Sequence, residues 1–236
     1  MNGNDCEGVG ILENQNSIIK KMMVLNIGFF LCALGMMMML YAGLGAGPWE
    51  TFHQGLSVFT GLSFGRVSQV AGLAIILGGV FLGIIPGIGS ILNMILIGLY
   101  ADIIESLGLF STPSSLVLQL LLLFVGMVVN CMGIYVYLLN GLGAGPRDGI
   151  MIGLVKKTNL SVTFIKSSIE VTALLIGILL GGPYGIGTII AALGMGYILD
   201  RIFLMMRFDP KKVHQRTLKE EWESIKGHKE KERIGQ

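Results

Sequence analysis

The sequence predicts an all-α integral membrane protein of six transmembrane helices, arranged as two inverted-topology repeats of three helices each. Three observations predict it. Of 236 residues, 53% are hydrophobic and 14% charged, with a mean hydropathy of +0.73, whereas soluble domains carry roughly 25% charged residues. The hexapeptide GLGAGP occurs at residues 43–48 and again at 141–146. Basic residues are unevenly spread: nine of the 17 Lys and Arg lie between Arg207 and Arg233, while residues 22–63 hold one formal charge, Glu50.

Apolar runs at 22–43, 64–85, 89–106, 115–139, 162–181 and 187–206 each approach the ~20 residues that a helix needs to cross a bilayer. Backbone in lipid must satisfy its own hydrogen bonds, and continuous rather than alternating apolar character excludes a barrel. Residues 1–21 read as a polar cytoplasmic N-terminus, poorly ordered up to Lys20. The first apolar run exceeds the ~7–15 residues of a signal-peptide core and follows Asp5, Glu7 and Glu13, so it reads as a retained helix. Residues 207–236 form a charged cytoplasmic tail in which six acidic residues dilute the bases, weakening any reading as a polybasic lipid contact. Cys6, Cys32 and Cys131 form no CxxC pattern and read as packing residues, not as a metal site or disulfide framework.

The hexapeptides belong to a longer echo. At an offset of 98 residues, without gaps, Gly28 aligns with Gly126, Gly35 with Gly133, Glu50 with Asp148, GIGS at 87–90 with GIGT at 185–188, and Asp102 with Asp200. Residues 22–107 and 108–206 are therefore two copies of a three-span unit. A unit that crosses an odd number of times delivers its second copy to the opposite side, the arrangement of many secondary transporters. Charge supports this: the connection after span 1 carries Glu50 and His53, and its equivalent after span 4 carries Arg147, Lys156 and Lys157. Cytoplasmic loops favour Lys and Arg.

Each hexapeptide ends a span and starts a short helix. Gly45, Gly47, Gly143 and Gly145 supply the turn, and Pro48 and Pro146 suit the first helical position. In the first short helix Trp49, Phe52, Leu56 and Phe59 make an apolar stripe opposite Glu50, His53, Gln54 and Ser57, which predicts an interfacial or partly re-entrant helix. Its N-terminus offers free N–H groups for a substrate, or Glu50 and Asp148 simply satisfy the dipole; both readings stand. The glycine rows 79/83/87 and 177/181/185 predict close helix packing, with a sliding surface as the alternative. Intramembrane ionisable residues are default functional candidates. Glu170 is the first, with Lys166 four residues earlier on the same face as a binding or coupling partner, or as a structural ion pair. Arg147, Asp148, Trp49 and Glu50 complete the candidate substrate site. His53 reads as a polar-face residue, and Arg66 and Asn93 are weaker candidates. No HExxH, GxSxG or Walker pattern occurs, so an enzyme is not expected and no catalytic residue, cofactor or metal is assigned.

GLGAGPWETFHQGLS, GIGS, GLGAGPRDGIMIGL, the Lys166…Glu170 pair and GGPYGIGT together resemble the YczE-like bacterial integral membrane proteins, distant relatives of the YitT-type proteins. The resemblance covers about residues 20–205 and leaves out the tail. It implies a multi-pass protein of the bacterial cytoplasmic membrane, with a role in small-molecule export or as an accessory to other membrane machinery. Lys166 stands where the family often has Arg, keeping the charge without the guanidinium fork. The expected function is secondary transport or export of a small organic solute. The alternative is a non-transporting scaffold or assembly protein. The partners implied are the lipid bilayer, a small-molecule substrate and, as an admissible arrangement, a second copy in a homodimer, with no nucleic acid.

Overall fold

The computed structural model describes residues 4–142, 145–158, 160–208 and 218, with side chains from Lys20 onward except at 148, 149, 152, 153, 156, 162 and 163. Among the described residues there are eight helices and no strands. They are α1 (Asn4–Tyr41), α2 (Pro48–Thr60), α3 (Phe64–Phe81), α4 (Ile88–Ser106), α5 (Leu116–Leu138), α6 (Pro146–Thr158), α7 (Val162–Leu179) and α8 (Ile186–Met205). Five are long and apolar enough to cross a membrane: the Lys20–Tyr41 part of α1, and α3, α4, α5 and α8. The remaining expected span falls on α7, which matches the 18 residues of α3 but carries Lys166 and Glu170 within them.

Helix ends are set by the same chemistry in both copies. Ser63 and Ser161 cap α3 and α7, accepting from Arg66 N and Phe164 N. Left-handed glycines stop equivalent helices: Gly43 and Gly141 follow α1 and α5, and Gly83 and Gly181 follow α3 and α7. α1 extends from Asn4 through the leader into the first span; extending an existing helix avoids the cost of nucleation.

The centre of the molecule is a crossing of α1 with α5. A Cβ built on Gly28 would stand 2.8 Å from Tyr137 N, and one on Gly35 would stand 2.6 Å from Gly126 O. On Gly133 it would stand 2.7 Å from Gly28 O. The early part of α1 thus meets the late part of α5 and the reverse, so the two equivalent helices run antiparallel. Between these glycines Asn130 Nδ2 donates to Cys32 O (3.3 Å) and Cys32 Sγ donates to Asn130 O (3.8 Å). Cys32 and Asn130 are themselves 98 residues apart, so they occupy the same position in the two copies and mark an approximate two-fold axis. Leu25, Phe29, Met37, Met39, Leu123 and Met127 bury around this crossing. The most apolar window of α1 is 50% buried against 17% for α8, which leaves α8 as an outer helix.

The two copies also exchange contacts, which explains why the hexapeptide is written twice. Leu44 O in the first GLGAGP accepts from Gly187 N in the second copy's GIGT (2.8 Å). Leu142 O in the second GLGAGP accepts from Gly89 N in the first copy's GIGS (2.7 Å). Likewise α2 lies against α7, and α6 against α3. Gly177 gives room for the α2 backbone at Thr51 and Phe52, and Thr51 Oγ1 donates to Pro183 O at 2.9 Å.

α2 is buried towards its N-terminal half, at Glu50, Thr51, His53 and Gly55, and exposed at Val58, Phe59 and Thr60, as a partly re-entrant helix would be and a purely interfacial one, burying one stripe along its whole length, would not. It enters the protein end-on, because its polar face has a polar interior to meet. Of the glycine rows, Gly177 and Gly185 pack tightly and Gly79 is buried, whereas among the described residues no atom stands within 4 Å of a Cβ built on Gly83. Close glycine seams also join α1 to α5 at Gly28, Gly35, Gly126 and Gly133, and α3 to α4 at Gly65 and Gly98.

Candidate functional site

The N-terminal ends of α2 and α6 converge. Trp49 and Arg147 hold equivalent positions in the two copies, and the Arg147 guanidinium lies over the Trp49 ring, 4.4 Å from its centroid. That is within cation–π range. Around this contact is a cavity of about 410 Å3, lined by residues from all eight helices. The volume is within the roughly 300–1,000 Å3 typical of small-molecule sites.

Five of the sequence-derived candidates line this cavity: Glu170, Lys166, Arg147, Trp49 and Glu50. The turn residues Pro48, Gly145 and Pro146 line it too. Gly45 sits outside the wall against Gly185 and Thr188, where φ of +91° requires glycine. The Glu50 carboxylate folds back over Gly47, the N-cap of its own helix. It therefore faces the positive end of the α2 dipole, as one of the two sequence readings had it. Gly143 and the Asp148 side chain lie outside the described residues.

His53 is the functional residue that sequence reasoning misplaced. Its ring is 2% exposed, wedged against Phe64 (5.7 Å) and Trp49 (6.1 Å), and it lines the cavity. Its Nδ1 has no partner among the described residues, a costly condition for a buried polar atom. α2 is not among the spanning helices; there burial, and then the charge of Arg147, hold the imidazole well below its usual pKa. His53 thus offers the cavity a neutral ring nitrogen. Asn130 was also missed, although a lone Asn inside a 23-residue apolar helix is a visible signal; Cys32 is buried in the core, as a packing residue should be.

The two copies differ at the seam between their second and third spans. In the first copy α3 and α4 pack closely: a Cβ on Gly65 would fall on Gly98 O, and Gln69 Nε2 donates to Ile95 O at 2.8 Å. The Asp102 carboxylate accepts from Ser63 Oγ (2.6 Å) and Gly65 N (2.7 Å), tying α4 to the start of α3. In the second copy α7 and α8 share no such seam among the described residues. Gly98, Gln69, Gly72 and Met94 correspond to Gly196, Ser167, Glu170 and Ala192, and Gly65 to Thr163. Gly98 is buried; Gly196 and Asp200 are exposed. Asp102→Ala is therefore expected to destabilise the protein by about 1–3 kcal/mol through lost charge-assisted hydrogen bonds. Asp200→Ala is expected to change almost nothing, and equal losses of melting temperature in the two variants would show that the asymmetry is not real.

Comparison with known proteins fits this all-helical architecture. Residues 19–203 match the model of a family of unknown function, DUF6198. The chain is 39% identical over 162 residues to the uncharacterized membrane protein YczE of Bacillus subtilis, covering 66% of this chain and 72% of that protein. It belongs to the YczE-like membrane protein family. An uncharacterized protein of Haemophilus influenzae is 31% identical over 181 residues, 77% of this chain and 82% of the relative. The YyaS protein of Bacillus subtilis is 26% identical over 193 residues, 78% and 92%. No solved structure matches the chain. The YczE-like chain described here is a multi-pass helical membrane protein, and its candidate site lies where the two copies meet.

Proposed function

We propose that this YczE-like protein is a secondary transporter, an exporter of a small organic solute in the bacterial cytoplasmic membrane. It works with six spans as two inverted repeats and with both termini inside. The observation that carries this is the cavity of about 410 Å3 in which the N-terminal ends of two equivalent half-helices meet beside Lys166 and Glu170. Discontinuous helices ending at a central site between repeats are the recurrent substrate-binding device of transporters. Three features support the inverted arrangement: the antiparallel α1–α5 crossing, the reciprocal Leu44–Gly187 and Leu142–Gly89 hydrogen bonds, and α7 as the sixth span. Leu218 N in the tail donates to Pro86 O in the α3–α4 connection (2.9 Å), which keeps tail and connection on one side, as an even number of spans requires.

In this scheme Lys166 and Arg147 hold acidic groups, while Glu170 holds a basic group or couples transport to a proton. Sided thiol labelling tests the topology. Thr60 and Thr158 are equivalent, exposed ends of α2 and α6. With Cys6, Cys32 and Cys131 replaced, Thr60→Cys is expected to react with an impermeant maleimide from outside whole cells. Thr158→Cys is expected to react only after the membrane is opened. Reaction of both from one side would overturn the inverted repeats and the transporter with them.

A further inference from the structure

We propose that the substrate is a bilayer-dwelling amphiphile with a zwitterionic head, which enters the cavity sideways between α7 and α8. The proposal rests on the transporter reading and names its substrate class. Its first support is the placement of charge. Glu170 stands eight residues into α7, ~12 Å along the helix, hence near mid-membrane. It is half-buried, and Lys166 one turn earlier is exposed. Bare charges facing acyl chains are costly, so this flank of α7 calls for water or a polar head, not hydrocarbon.

The second support is that the opening is written into the sequence. Three residues that close the α3–α4 seam are replaced in the second copy by ones that cannot do the same, while Ser63, Gly98 and Asp102 keep identical equivalents in Ser161, Gly196 and Asp200. Gly72, which packs on Met94, becomes Glu170 opposite Ala192. Gln69, which reaches Ile95 O, becomes the shorter Ser167. Gly65 becomes Thr163, whose Cβ forbids the close backbone approach that Gly65 makes to Gly98. The charged pair thus sits on the lips of a gap that its own copy keeps open.

The third support is the shape of the space behind the gap. The polar chamber adjoins a second cavity of about 380 Å3, lined by Phe52, Ala71, Ala74, Thr172, Ala173 and Ile176 among others. The two share Trp49, Ile75 and Ile169. A compartment that holds the charged side chains, joined to one lined almost wholly by apolar residues, matches a molecule with a head and a chain. Among the described residues of the charged compartment two carboxylates, Glu50 and Glu170, are matched by two cations, Arg147 and Lys166, so a head bearing both signs is favoured over a simple anion or cation. His53 Nδ1, which has no partner among the described residues and sits in a ring only 2% exposed, supplies a further hydrogen-bonding atom for the ligand.

The test is photo-crosslinking of the full-length protein in phosphatidylethanolamine vesicles doped with a phosphatidylethanolamine that carries a diazirine on its head. Lipids that merely surround the protein hold their heads at the helix ends. The proposal expects head adducts at mid-membrane, on residues 166–170 and 192–196, and their loss in Lys166→Met and in Ala192→Met. A diazirine at the chain end is expected to mark residues 71–75 and 172–176. Head adducts confined to helix ends would overturn the proposal. So would displacement of central adducts by free phosphoethanolamine, which would make the ligand a water-soluble zwitterion. Thr60 and Thr158 labelling on the same vesicles separates the two ideas. Opposite sidedness without central adducts refutes the amphiphile alone, and same-side labelling refutes the transporter.

Discussion

Gly35→Val is expected to cost about 3 kcal/mol, the upper end of what overpacking a well-filled interior does. The added atoms would enter the space held by Gly126 O (2.6 Å) and Asn130 Cβ (2.7 Å) on α5. Neither is the free end of a flexible side chain: one is helix backbone and the other is fixed to it. The helices must therefore separate, which also opens the Cys32–Asn130 pair at the centre of the crossing. Thermal unfolding in detergent, followed by size-exclusion of the survivors, measures this directly. Gly196→Val is the companion variant, because Gly196 is exposed and has no described atom near its Cβ position. It is expected to stay within about 0.5 kcal/mol of the parent, as surface changes do. If the two variants melt alike, the α1–α5 seam is not the structural axis of the protein.

Glu170→Gln is expected to abolish transport while leaving the fold intact. The substitution keeps shape and hydrogen-bonding capacity but removes the charge, and Glu170 is half-buried beside an exposed Lys166 rather than locked in a core. Exposed or half-exposed ion pairs contribute about 0–1 kcal/mol to stability, so the melting temperature should barely move. Counterflow into proteoliposomes, with the amphiphile captured by crosslinking as cargo, provides the readout. A loss of flux without a loss of stability assigns Glu170 to the transport cycle. Flux that falls only as far as the folded fraction falls would make the protein a scaffold, and the cavity a packing defect.

Five of the spans were legible because apolar stretches near bilayer length are written in long runs, and the duplication is written as identities at a constant offset. The cavity-lining set was partly legible, since Glu170, Lys166, Arg147, Trp49 and Glu50 are charged or amphipathic residues in apolar surroundings. His53 was not. On a soluble scale its helix face reads as the wet one, but a membrane protein with a polar interior turns that face inward, and only the third dimension shows which polar face is enclosed. The partners of the glycine rows were not legible for a similar reason. A row such as Gly79, Gly83 and Gly87 shows that a helix can be approached, not which helix approaches it. The α7–α8 gap was readable only by comparing the copies position by position once the α3–α4 contacts were known.

The Cys32–Asn130 pair carries a consequence for descent. Two equivalent residues that face each other across a dyad are what remains when a gene that once made symmetric pairs is copied in tandem and joined. If the repeats are inverted, as proposed, a single-copy ancestor would have had to insert both ways up in the same membrane. That is open only to a chain with almost no Lys or Arg bias between its loops. Fusion removed that constraint. Arg147, Lys156 and Lys157 in one copy, against Trp49, Val58 and Phe59 in the other, record the freedom gained: each half could settle on one orientation, and one residue of every former pair became available for chemistry that its twin did not need.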